Sequence, residues 1–325
     1  MILLLKREKG RAKNMNIVEI RKLTKVFNGR KAVSNLDLMI EEGEIFGLLG
    51  PNGAGKTTTI AMLSTILPPT KGTAIISGYD IRRQPKEVRR VIGVVPQEAA
   101  LYDNLTAAEN LAYFGKLYGI PGKKLKRQIT KLLRLVNLQK RAKDRVKSFS
   151  SGMKDRLNLA IGLVHEPRIL FLDEPTTGLD PQARQAVWKM IKRLQSKGVS
   201  ILLTTHYMEE ADYLCDRVAI MDNGKIIALD SPAALKRSVG KLEVIEVKTD
   251  QVPDSLLTRL RKLRDMEEVA RTSKGLRMLT PDADAVLGQV VNLITSGGVG
   301  IDSLKITHPT LEDVFIKLTG KTLRD

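Results

Sequence analysis

The octapeptide Gly50-Pro51-Asn52-Gly53-Ala54-Gly55-Lys56-Thr57 follows the apolar run Ile45-Phe46-Gly47-Leu48-Leu49 and leads into a helix-like stretch, Thr58 to Leu67. A glycine, four residues, then Gly-Lys-Ser/Thr between a strand and a helix is the pattern of a phosphate-binding loop. Glycines at 50, 53 and 55 admit backbone angles that turn successive N–H groups into one concavity. The helix that follows adds the partial positive charge of its N-terminus. Lys56 would then reach the β- and γ-phosphates of a nucleoside triphosphate, and the Thr57 hydroxyl would ligate Mg²⁺.

Two further segments carry matching chemistry. Ile169-Leu170-Phe171-Leu172 reads as a fully buried parallel strand ending in Asp173-Glu174, at the strand end where ligands bind in open α/β sheets. Asp173 can hold Mg²⁺ directly or through water, and Glu174 can accept a proton from water attacking the γ-phosphate. Ser200 to Thr205 reads as another buried strand, delivering His206 to the same edge, where an imidazole can bond the γ-phosphate and orient the attacking water. Phe27, just before the turn Asn28-Gly29, either stacks on a base or packs in the core.

Positioning these groups requires an α/β domain. Val18-Glu19-Ile20 and Ala32 to Ile40 alternate as short strands; Thr73 to Ile76 and Val91 to Val95 are further strands. The helix after the phosphate loop should run until Pro68-Pro69 stops it. Residues 98 to about 147 become helical and basic, with Leu132, Leu133, Val136 and Leu138 on one apolar face, and read as a helical insertion. Asp180-Pro181 starts a helix that ends before Gly198. Asp222-Asn223-Gly224 marks a hairpin. From about Ser231 the pattern is a small α+β appendage: a strand over 242–247, helices over 256–263 and 283–295, a hairpin around Ser273-Lys274-Gly275, and a last helix capped by Thr310 with Asp313. The apolar face of that helix docks on a partner or on its own domain.

The 325-residue chain has 42% apolar residues and a formal charge of +18. Its single cysteine excludes an internal disulfide framework, and no window reaches the roughly 18 to 20 apolar residues a membrane helix needs. Between Lys116 and Lys147 twelve Lys or Arg face one acid, Asp144, a local charge of +11. That patch suits water, anionic lipid head groups or nucleic acid; no recognised nucleic-acid module or base-stacking aromatic array accompanies it. Residues 1–14 read as a basic disordered extension preceding Met15, 15–230 as the nucleotide-binding domain with its helical part at about 98–150, and 231–325 as the accessory domain.

Gly50 to Thr57, Gln97, Phe149-Ser150-Ser151-Gly152-Met153, Ile169 to Glu174, Gly178-Leu179-Asp180 and His206 stand in the order of an ABC-type ATP-binding subunit. The resemblance covers residues 16 to about 230. The tail, with Pro309 to Phe315 and Leu318-Thr319-Gly320, resembles ATPases of the drug-resistance efflux (daunorubicin-type) branch.

The resemblance implies a P-loop NTPase core of ABC ATPase type with an N-terminal antiparallel β-subdomain, a helical insertion and the C-terminal appendage. It implies ATP and Mg²⁺ held by Phe27, by Gly50, Pro51, Asn52, Gly53, Ala54, Gly55, Lys56, Thr57 and Thr58, and by Gln97 and Asp173. It implies that Ser150 and Gly152 close over the γ-phosphate of an opposite subunit, and that Asp180 communicates between the two sites. The departures are Phe149 and Ser151, where the usual signature has Leu and Gly; Ser151 adds a Cβ where backbone approaches phosphate. The expected protein is an ATPase at the cytoplasmic face of the cell membrane. It works as a homodimer, or with a paralogue, beneath a separate exporter permease. The rival readings are a soluble ABC ATPase acting on nucleic acid or ribosomes and a non-hydrolysing nucleotide switch.

Overall fold

The computed structural model describes residues 16–319 except 239, 241, 250, 273 and 274. The expected extension over 1–14, the tip of the hairpin at Ser273-Lys274, and Gly320 therefore lie outside the described residues. A first compact unit ends at Ser231 and a second begins at Pro232.

The first unit opens with β1 (Asn16–Phe27) and β2 (Arg30–Glu41), an antiparallel pair joined by Asn28-Gly29. Both turn residues have positive φ, 47° and 81°, which matches the right-handed twist of the flanking strands. These strands are twelve residues each, not the short ones that alternation indicates. Lys22, at φ 48°, takes up a register shift between Ile20 and Leu23, and this bulge changes which parity faces the core. Then come β3 (Ile45–Leu49), α1 (Lys56–Leu63), β4 (Lys71–Ile76) and β5 (Tyr79–Asp80). The antiparallel sheet has the order β2-β1-β4-β5. Helix α1 stops short of Pro68: Thr65 turns left-handed at φ 63°, and the N–H groups of Ile66 and Leu67 return to the Ala61 carbonyl, a C-terminal cap that needs no proline.

Helix α2 (Pro85–Val91), which the periodicity did not indicate, leads to β6 (Ile92–Val95). After the helical stretch come β7 (Ile169–Asp173), α6 (Pro181–Gln195), β8 (Ser200–Thr205), α7 (Met208–Leu214), β9 (Arg217–Asp222) and β10 (Lys225–Asp230). The central sheet has the order β10-β9-β3-β8-β7-β6. It is parallel from β9 to β6, while β10 returns antiparallel through Asn223-Gly224 at φ 48° and 75°. Every residue of β3, β7 and β8 is buried, as expected of parallel strands covered on both faces. Strand β8 lies between β3 and β7, so three loop origins share one edge.

The helical stretch comprises α3 (Ala107–Leu117), α4 (Gly122–Leu135) and α5 (Ser151–Gly162). Thr106 and Glu109 form a reciprocal capping box on α3. Helix α4 buries Leu125, Leu132 and Leu133 and leaves Lys123, Lys124, Lys126, Arg127, Lys131 and Arg134 exposed. This stretch is pinned to the sheet beside His165. Its ring stacks on Tyr118 with centroids 3.8 Å apart, and its Nε2 lies 2.7 Å from the Ile92 carbonyl oxygen.

In the second unit α8 (Pro232–Ser238), β11 (Glu243–Lys248), α9 (Asp254–Leu260), β12 (Glu268–Thr272), β13 (Gly275–Thr280), α10 (Ala283–Ser296), β14 (Ser303–Thr307) and α11 (Leu311–Thr319) follow in order. The sheet is antiparallel, β12-β13-β11-β14. Its core includes Ile245, Leu260, Met278, Val290 and Ile294. Thr310 and Asp313 cap α11 reciprocally. Helix α11 buries Leu311, Val314 and Phe315 and packs with α8 inside this unit, while Leu318 stays exposed.

The His165 environment has a pH consequence. Next to a carbonyl, Nε2 carries the proton and donates it, and Nδ1 is buried without a partner. Burial lowers the pKa from its ordinary 6.5, although the bond to Ile92 opposes the shift. The unfolded chain therefore takes up this proton at higher pH than the folded one, so stability falls as pH drops below about 6.5. Denaturation midpoints between pH 7 and 5 should decline more steeply for the wild type than for His165→Phe; equal slopes would exclude the effect.

Candidate functional site

The turn after β3 is fixed from two sides. The Gly50 N–H donates to the Thr205 carbonyl at the end of β8 (3.2 Å), and the Ala54 carbonyl accepts from Gly224 N–H (3.0 Å). A Cβ on Gly50 would collide with the Met221 carbonyl. Gly55 has φ +102°, and a Cβ there would sit 2.5 Å from the Ala32 carbonyl oxygen. The approach of other backbone requires glycine at both positions, and at Gly55 the left-handed conformation requires it as well.

The loop borders a cleft of about 750 Å³. Of the residues singled out by sequence, Phe27, Asn52, Gly53, Gly55, Lys56, Thr57, Thr58, Gln97, Glu174 and His206 line it. Phe27 is 45% exposed, with the Lys25 Nζ 5.1 Å from its ring centroid, so it belongs to the cleft wall and not to the core. Ala54 is buried in the loop. Gly50 and Pro51 contribute carbonyls to Lys56, whose Nζ donates to them at 2.7 and 2.9 Å.

Lys56 Nζ also lies 3.5 Å from Glu174 Oε1, and both side chains are almost fully buried. Burial pushes the Lys56 pKa down, and the Glu174 carboxylate works against that shift. The other Glu174 oxygen is 3.1 Å from the Thr177 hydroxyl and 3.1 Å from His206 Nδ1. Glu174 itself is left-handed, φ 48°, held there by its N–H, which donates to the carbonyl and the hydroxyl of Thr204, each at 3.1 Å. The Thr57 hydroxyl donates to Asp173 Oδ1 at 3.1 Å, and the Thr204 hydroxyl donates to the same oxygen at 2.5 Å. Asp173 does not itself line the cleft but lies buried behind Thr57; the carboxylate and hydroxyl together are hard oxygen ligands, a set that suits Mg²⁺ with phosphate oxygens completing its shell.

Ser150, Gly152 and Asp180 are not brought to this cleft within one chain. Ser150 caps α5, its hydroxyl accepting from Met153 N–H at 3.4 Å. Ser151 is exposed, opens the helix and has no left-handed backbone angle. Arg156 holds the segment through the carbonyls of Gly152 (3.1 Å) and Val136 (3.2 Å). Asp180 caps α6 by accepting from Gln182 and Ala183 N–H, both at 2.9 Å. The two helix starts are neighbours: a Cβ on Gly152 would lie 3.4 Å from that of Ala183.

Sequence reading missed Thr204, Thr177 and the cleft residues Arg30, Lys31 and Asn223. The available signal for Thr204 was a threonine pair closing an otherwise apolar strand.

The family model described as ABC transporter matches residues 33–177. The linearmycin resistance ATP-binding protein LnrL of Bacillus subtilis is 37% identical over 95% of this chain and 100% of its own length. The daunorubicin resistance ATP-binding protein DrrA2 of Streptomyces coeruleorubidus is 38% identical over 92% and 93%. The Nod factor export ATP-binding protein I of Cupriavidus metallidurans is 39% identical over 95% and 99%. A solved ATP binding subunit of an ABC transporter superposes with a TM-score of 0.63 at 31% identity, covering 69% of this chain and 93% of that one.

Thr204→Val removes the hydroxyl shared by Asp173 and the Glu174 N–H. The first unit should lose about 1–3 kcal/mol, and Thr204→Ser should keep most of it. Urea unfolding followed by the single tryptophan, Trp188, reads that unit; an unchanged midpoint for the valine variant would remove Thr204 from this role.

Proposed function

This chain belongs to the ABC transporter family, and from that premise we propose that it is the ATP-hydrolysing subunit of a membrane exporter, powering a separate transmembrane permease. It binds ATP, hydrolyses it and dimerises, as ATP-binding subunits of this family do. Export is supported by its relatives, which are resistance and export ATP-binding proteins of similar length. Among the described residues no helix is long and apolar enough to cross a membrane, which accords with a peripheral position at the cytoplasmic face and a permease on another polypeptide.

The observation that carries the mechanism is the convergence of Lys56, Thr57, Glu174 and His206 on one cleft, with Asp173 bonded to Thr57 behind it. The loop N–H groups and Lys56 bind the β- and γ-phosphates, and Phe27 stacks on the adenine. Thr57, Asp173 and Gln97 would hold Mg²⁺, which when bound neutralises charge on the phosphate oxygens. Glu174 takes the proton of the water that attacks the γ-phosphorus. The O–P bond to the β-phosphate breaks, leaving ADP and inorganic phosphate. His206, 3.1 Å from that carboxylate, orients it and bonds the γ-phosphate.

Ser150 and Gly152 act on the other subunit, a second copy or a paralogue, where a hydroxyl and a helix N-terminus supply anion contacts. Asp180 lies next to them and couples the two sites. Closure over two ATPs moves the permease, and loss of the γ-phosphate reopens the pair. The exposed cations of α4 favour an anionic membrane surface by roughly 1 kcal/mol per well-placed Lys or Arg.

Glu174→Gln should still bind MgATP while turnover falls about 10²- to 10⁴-fold, and the nucleotide-loaded variant should elute as a dimer in gel filtration. Wild-type turnover in this variant, or a monomer with ATP bound at high protein concentration, would overturn the reading.

A further inference from the structure

One buried acid outside the cleft has no role in the chemistry above. Glu210 lies on α7, four residues after His206, and is 1% exposed. Its Oε1 accepts from the Thr176 hydroxyl at 2.7 Å and from Trp188 Nε1 at 2.9 Å. Thr176 is fully buried and stands two residues after Glu174. Trp188 is on α6, the helix capped by Asp180, and stacks on Tyr213 of α7 with centroids 5.1 Å apart.

These contacts close a ring. Glu174 connects along the chain to Thr176, Thr176 bonds Glu210, Glu210 in the first turn of α7 connects through residues 207–209 to His206, and His206 returns to Glu174 at 3.1 Å. Glu174 itself is bonded to Thr204, Lys56 and His206, and past it the loop is held by short-range bonds, Thr177 N–H to the Glu174 carbonyl and Leu179 N–H to the Thr176 carbonyl. Gly178 within it is left-handed, φ 76°. The Thr176–Glu210 bond is therefore what fastens this loop to the element that follows His206.

A carboxylate is an expensive way to fill a buried space, because it leaves water and must find donors. A packing role alone would be met by an apolar residue. The loop that follows Glu174, the helix that Asp180 caps and the helix that follows His206 meet at this one oxygen.

We propose that Glu210 is a positioning residue for ATP hydrolysis, fixing Glu174 and His206 relative to each other through its hydrogen bond to Thr176. The inference rests on the roles given above to Glu174 and His206. It also ties α6, the helix that Asp180 caps, to the same strut through Trp188, so movement of that helix reaches the proton acceptor.

The test uses the full chain with Thr176→Val, which keeps shape and removes the donor, together with Glu210→Ala, Glu210→Gln and Glu174→Gln. Thr176→Val and Glu210→Ala should lower kcat about tenfold while the KM for ATP changes less than about twofold, since misplacement of a reacting group costs rate before it costs binding. Glu210→Gln retains an acceptor oxygen and should stay within about threefold of wild type. A wild-type kcat for Thr176→Val, a loss confined to KM, or no rescue by glutamine would each overturn the inference. Wild-type turnover in Glu174→Gln would instead overturn the reading on which it rests.

Discussion

The insertion of β8 between β3 and β7 is the constraint from which the site follows. Parallel pairing aligns the carboxyl ends of the three strands, so the phosphate loop, the Asp173-Glu174 pair and the Thr204-to-His206 segment leave the sheet side by side. The middle strand then bonds to both neighbours: Thr205 offers its carbonyl to Gly50, and Thr204 offers its hydroxyl to Asp173 and Glu174. A one-strand change of order would separate Lys56 from Glu174, leaving a buried ammonium and a buried carboxylate each without its counter-charge. Unpaired burial of either costs several kcal/mol.

The same edge stores backbone strain. A left-handed non-glycine residue costs of order 1–3 kcal/mol, and Glu174 adopts that conformation at φ 48°. Two bonds from its N–H to Thr204 hold it there. The consequence is directional: immediately after a strand whose side chains are all buried, the Glu174 carboxylate is turned toward Lys56, Thr177 and His206. A glycine would relieve the strain and lose the carboxylate.

Much of this was legible in the sequence where a residue is demanded by its own backbone. The left-handed glycines 53 and 55 of the loop, the Asp180-Pro181 helix start and the Asn223-Gly224 turn each have a local requirement, and each stands where the pattern indicated. What depends on remote backbone was not legible. The length of β1 was hidden by the bulge at Lys22, which breaks period-two alternation. The end of α1 was misread because the prolines at 68 and 69 are a stronger signal than the left-handed Thr65. Thr204, Thr176 and Glu210 acquire meaning only from the tertiary fold, since their partners lie 22 to 34 residues away. Phe27 stood undecided between core and cleft because its neighbours in sequence do not say which face of β1 is covered.

The departure at Ser151 can be weighed in the same terms. Its position opens α5 with ordinary helical angles and an exposed side chain, so within this chain a Cβ costs nothing in strain or packing. Gly152 differs, since its missing side chain lies against Ala183 at the start of α6. The two helix N-termini, capped by Ser150 and Asp180, therefore sit together on a surface outside the chain's own cleft, and their partial positive charges add there. The Ser151 hydroxyl is exposed at that N-terminus. The fold of the chain that carries Ser151 is thus indifferent to the substitution.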